Sequence, residues 1–151
     1  MLLKSLCVTE PNTNRGQDAL RILLGLALAG AGVSHLTFAR QEFQAQVPPW
    51  VPLDPDTVVL QSGVVEIALG SALAALPKHK VLLGRLAGLF FVAVFPGNLA
   101  QYHHHRNAFG LDTDAKRFAR LLFQPALVAW ALWSTGAFRF RRSRFRCLLG
   151  S

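Results

Sequence analysis

At 151 residues, with 52% hydrophobic and 16% charged side chains, the chain is long enough for one domain and has too few charges to clothe a soluble one. Its formal charge of +8 sits mostly between and after apolar runs, which points to lipid headgroups and away from nucleic acid as the anionic partner. Cys7 and Cys147, the only cysteines, stand near opposite termini with no Cys-x-x-Cys, which argues against a disulfide framework and against thiol–disulfide chemistry.

Residues 1–17 carry Pro11, Gly16 and several polar side chains and read as a cytoplasmic leader, at most partly helical. A first apolar run at about 19–38 is long enough to span a bilayer and is expected to be retained rather than cleaved. Gly25, Ala29 and Gly32 share one face of it, a small-xxx-small pattern that favours close helix packing, and His35 follows on the same side. The segment 39–57 contains Pro48, Pro49, Pro52 and Pro55, which rule out a continuous helix; it reads as an interfacial or re-entrant connection with Trp50 at headgroup level. Further spans are expected at about 58–76, 81–102 and 118–138. A tight basic turn, Pro77-Lys78-His79-Lys80, separates the second from the third, and Gly84 and Gly88 give the third a Gly-x-x-x-Gly. The expectation is therefore an all-α, four-transmembrane-helix bundle over 18–138, followed by a basic cytoplasmic tail at 139–151.

Lysine and arginine counts set the orientation. With both termini cytoplasmic, eleven basic residues fall inside and five, Arg40, Arg106, Lys116, Arg117 and Arg120, fall outside, so the positive-inside rule favours this arrangement in the cell inner (plasma) membrane. That topology makes residues late in the odd spans meet residues early in the even ones. His35, Asn98 and Gln124 are then all near the outer ends, and Glu66 lies about eight residues inside, or roughly 12 Å at 1.5 Å per residue. The four converge in the outer half of the bundle, where Arg120, one turn from Gln124, is placed to pair with Glu66, and Gln101 and Tyr102 to line the mouth.

Glu66 is the focus of this arrangement, because a carboxylate inside a lipid-buried helix costs roughly 2.5–3.5 kcal/mol and so faces other helices or a polar cavity. Its alternatives are a ligand or proton role and a structural clasp between helices. Asn98, beside Pro96, is equally suited to bonding backbone groups that the proline frees. His103-His104-His105 resembles a metal site, but consecutive helical residues point about 100° apart and cannot all bind one ion, so no metal is assigned. Trp130 and Trp133 are assigned to lipid or packing surfaces.

Five motifs in order carry a family resemblance. They are Gly32-Val33-Ser34-His35-Leu36 with Phe38, Val47-Pro48-Pro49-Trp50-Val51-Pro52, Ser62 to Gly70, Val94-Phe95-Pro96-Gly97-Asn98, and Arg120-Leu121-Leu122-Phe123-Gln124-Pro125. Over roughly 20–135 the chain resembles DoxX-like small bacterial membrane proteins, which implies a four-helix membrane bundle, a polar core of His35, Glu66, Asn98 and Gln124, and an association with membrane redox assemblies. Gly97 stands where members often have alanine.

The leading expectation is a redox-associated accessory that binds a quinone-like molecule, with His35 and Glu66 as candidate proton donors, Asn98 and Gln124 orienting the ring, and Arg120 and Tyr102 completing the ligand set. No haem-ligand pair, cluster cysteines or nucleotide loop is evident, so electrons would come from a membrane or peripheral redox protein subunit or remain on the quinone. A non-catalytic scaffold recruiting partner subunits is the alternative. A small-solute or proton pathway ranks last, since the inner halves of the spans are apolar.

Overall fold

The computed structural model describes residues 11–138. The ten residues before and the thirteen after, with Cys7, Cys147, most of the leader and the basic tail, lie outside the described residues. Five α-helices make up the described chain: α1 (Arg15–Leu36), α2 (Arg40–Gln44), α3 (Pro55–Ala75), α4 (Lys80–His103) and α5 (Asp114–Ser134), with a 3-10 turn at Pro77–His79.

Local chemistry fixes the starts. Asn14 accepts from the Gln17 backbone N–H while the Gln17 side chain accepts from the Asn14 N–H, a capping box that begins α1 two residues before the leader was expected to end. Asp54 caps α3 with Pro55 at its first position, and Thr113 caps α5.

Three stretches, Arg15–Leu36, Pro55–Ala75 and Pro77–His103, are long and apolar enough to cross a membrane. Their outward faces are apolar: Leu23, Leu26, Val64, Leu82, Leu89 and Val92 are all exposed, a surface suited to lipid. α5 is as long as α3 but carries Asp114, Lys116, Arg117 and Arg120 in its first two turns.

The helices associate as two antiparallel pairs. α1 packs on α3 across a glycine seam in which Gly25 faces Gly70 and Gly32 faces Gly63. A Cβ on Gly32 would meet the Gly63 carbonyl at 2.5 Å, and one on Gly70 would meet the Ala29 nitrogen at 2.5 Å, so only glycine permits this approach. Arg21, 4% exposed, closes the same seam by donating to the Leu73 and Ala74 carbonyls at the C-terminal end of α3. α4 packs on α5, with Gly84 pressed against the Thr135 side chain just past the end of α5. Contact between the pairs is sparser. It comprises a buried cluster of Leu24, Leu28, Leu73, Leu83, Ala87, Phe91 and Ala131, with Gln17 donating to the Trp133 carbonyl at 2.8 Å and Trp130 to the Leu20 carbonyl at 3.1 Å.

At the opposite end the two long connections clasp one another. Arg106 donates to the Ala45 and Val47 carbonyls at 3.0 and 3.1 Å, Gln46 donates to Gln101 at 3.0 Å, and the Phe109 N–H donates to Glu42. Arg117, 5% exposed, anchors the second connection through Asp114, Asn107 and the Arg106 carbonyl. The expected connection over 39–57 thus contains a short helix and packs inward: Val47 is buried, and Gly97 on α4 has no Cβ where the Gln46 carbonyl would stand 2.8 Å from one.

Candidate functional site

Because the pairs are tight within and loose between, a space remains near the clasped end, a cavity of about 610 Å³ within the range of small-molecule sites. His35, Glu66, Asn98, Gln124 and Arg120 all line it. Its floor is the apolar cluster that includes Leu24, Leu28 and Phe91, which separates it from the end where α1 begins.

On the wall formed by α1 and α3, His35 and Glu66 are each 7% exposed. His35 Nδ1 lies 2.8 Å from the Ala31 carbonyl and 2.8 Å from Glu66 Oε2. The hydrogen on Nδ1 serves the Ala31 carbonyl, so Oε2 accepts no aligned hydrogen bond among the described residues although the two atoms touch. A buried acceptor left in that state costs about 1–3 kcal/mol. The imidazole is held flat by Phe43 of α2, with ring centroids 3.4 Å apart and planes 18° apart.

The wall formed by α4 and α5 carries a directional hydrogen-bond chain. Arg120 Nε donates to Asn98 Oδ1 at 3.0 Å, Asn98 Nδ2 to Gln124 Oε1 at 2.8 Å, and Gln124 Nε2 to the Phe91 carbonyl at 2.6 Å. Each amide spends a hydrogen on its neighbour, so the pair chiefly fixes Arg120. Arg120 therefore bonds Asn98, not the expected Glu66. Among the described residues it shares no ion pair with a carboxylate, and its guanidinium lies over the Phe109 ring, 5.0 Å from the centroid. Phe109, at φ 56°, in turn meets Phe43 edge-on at 4.6 Å. An aromatic bridge, His35–Phe43–Phe109–Arg120, thus joins the two walls across the clasped end.

Two further expectations change. Tyr102 does not line the cavity and packs beside Phe118, with ring centroids 6.1 Å apart. Gln101, 1% exposed, is used up in the clasp through Gln46 and the Arg106 carbonyl. In the histidine triplet, His105 pairs with Asp114 at 2.8 Å while His103 and His104 meet edge-on. The sequence reading missed Phe43, Gln46 and Val47 as cavity residues; their signal was the apolar content of a proline-bounded segment too rich in Phe, Val and Trp for a solvated loop.

A family model described as a domain of unknown function, DUF8561, matches residues 24–135. The chain belongs to that family. Every residue lining the cavity falls within the matched DUF8561 region, from Leu24 to Leu127. No curated protein and no solved structure matches the chain.

Proposed function

We propose that this DUF8561 protein is a four-span integral membrane protein of DoxX type, with both termini cytoplasmic in the inner membrane, that binds a quinone-like molecule in the outer half of its bundle and serves a membrane redox partner. The observation that carries the proposal is the 610 Å³ cavity with the His35–Glu66 pair on one wall and the Arg120 guanidinium on the other. A quinone head presents two opposed carbonyl oxygens: one would accept from Arg120 nitrogens not engaged by Asn98, the other from the Glu66 carboxyl when it carries its proton, with His35, whose Nδ1 hydrogen serves Ala31, holding that carboxyl in place. Asn98 and Gln124 are positioning residues for Arg120. Delivery of protons to a bound head is the part this chain performs, while electrons come from the partner.

Support for α5 as the fourth span is its antiparallel packing along α4 and its 21 residues, about 32 Å at 1.5 Å per residue against a hydrocarbon core of about 30 Å. Arg21, Lys78, Lys80 and Arg85 gather at the end where α1 begins, which suits a cytoplasmic face. The apolar floor of the cavity weighs against a through-pathway for solutes.

The test is mass spectrometry of small molecules that co-purify with gently solubilised protein, comparing the native chain with Glu66→Gln and His35→Ala variants shown to be folded. A defined molecule near one per chain, lost in the variants, is expected. Bulk lipid alone in every sample would overturn the proposal and favour a scaffold.

A further inference from the structure

On its α3–α4 side the cavity adjoins a second hollow. This hollow, of about 420 Å³, runs down the outside of the seam between these helices, and every residue lining it is apolar. Val65, Ala68, Leu69 and Ala72 form one bank; Leu83, Leu86 and Leu89 form the other. Phe90 and Ala93 line both this groove and the cavity, so the two adjoin at those side chains.

The groove exists because α3 and α4, although joined by a tight turn, pack against one another sparsely, each being committed to a different partner helix. Ala68, Ala72 and Ala93 keep it deep. From Ala93 to Leu83 it extends about 15 Å at 1.5 Å per residue, half the thickness of a hydrocarbon core of about 30 Å. It has no polar side chain to orient a second head, and it begins where the polar cavity ends.

We infer that the molecule bound here is a tailed lipid, its polar head between Arg120 and the His35–Glu66 pair and its hydrocarbon chain leaving past Phe90 to lie along the α3–α4 groove. The inference rests on the proposed head site and adds the class of ligand: a long single chain on a compact polar head, as opposed to a tail-less metabolite. Ala68 is exposed and faces no tight neighbour helix, so a larger side chain there fills the groove without disturbing either helix pair.

The experiment uses the full chain in phosphatidylcholine nanodiscs and two probes, a tail-less dimethoxy-methyl-benzoquinone and the same head bearing a decyl chain with a terminal diazirine. Head binding is read as quenching of Trp50, which lines the cavity, in a Trp130→Phe, Trp133→Phe background; chain position is read by photolabelling. Saturable quenching by both probes is expected, with the label on groove residues of α3 and α4. Ala68→Phe should weaken the tailed probe roughly tenfold, the scale of an overpacked contact, and leave the tail-less one unchanged. Equal quenching by both probes, unaffected by Ala68→Phe, with label scattered over lipid-facing residues of all helices, would overturn the groove and leave the head site standing. No saturable quenching by either probe would overturn both.

Discussion

The α1–α3 seam makes the sharpest demand on sequence, and Gly32→Ala tests it. The new Cβ would meet the Gly63 carbonyl at 2.5 Å and the Ile67 nitrogen at 2.9 Å, whereas ordinary contact begins at 3.4 Å, so the backbones must separate by about 0.9 Å. Both obstructing atoms are main chain and cannot rotate away, which puts the cost near the upper end of overpacking, about 3 kcal/mol, less about 1 kcal/mol for replacing a helical glycine by alanine. A net loss of about 2 kcal/mol is expected. The same displacement reaches the site one turn on: Nδ1 of His35 and Oε2 of Glu66 would move from 2.8 Å to about 3.7 Å, out of direct contact. Gly30 supplies the control, because it lies on the same helix with nothing within 4 Å of its Cβ position, and Gly30→Ala should be neutral or stabilising by up to about 1 kcal/mol. Thermal unfolding in mild detergent, followed by circular dichroism and paired with the co-purification assay, reads both effects. Equal stability of Gly32→Ala and native protein, or equal loss in Gly30→Ala, would refute the close-packing argument.

Gln124→Leu leaves the Asn98 amide without its acceptor and Arg120 without its positioning chain; a loss of about 1–3 kcal/mol in chemical or thermal denaturation is expected. Arg21→Met removes the charged donor from the Leu73 and Ala74 carbonyls, and amide hydrogen exchange should accelerate in the last turn of α3 while α5 is unchanged. In the connection before α5, Asp112 lies 2.7 Å from Lys116 of the first turn, whose hydrogen bond holds that carboxyl below the usual carboxylate range. The contact's contribution is present above the unfolded carboxyl's pKa and is lost as pH falls through the lowered folded value, so a carbon-detected NMR titration should show Asp112 moving upward in Lys116→Met.

The sequence made the helices legible because their apolar runs are long and bounded by proline, glycine and capping residues. Depth counting was enough to bring His35, Glu66, Asn98 and Gln124 to one level, since a helix rises uniformly. It could not say which helices face each other, and so it matched Arg120 to Glu66 when Arg120 in fact rests on Asn98 of its own pair. Small-residue faces marked α1 and α4 as interfacial without naming α3 and Thr135 as their counterparts. The inward packing of Phe43 and Gln46 was hidden for another reason: it depends on Arg106, Gln101 and Phe109, sixty residues away, and no local pattern encodes such a clasp.

The pairing of the helices has a consequence for how the protein is put together. The first half of the chain, through Leu76, contains both sides of its own glycine seam, and the second half, after the turn at Pro77–His79, contains both sides of a separate one. Each half brings its share of the polar groups already oriented: His35 and Glu66 in the first, Asn98, Arg120 and Gln124 in the second. Two fragments divided at that turn and co-expressed should insert independently and recover the cavity only on docking, so that a single break in the chain separates the assembly of the helices from the assembly of the site.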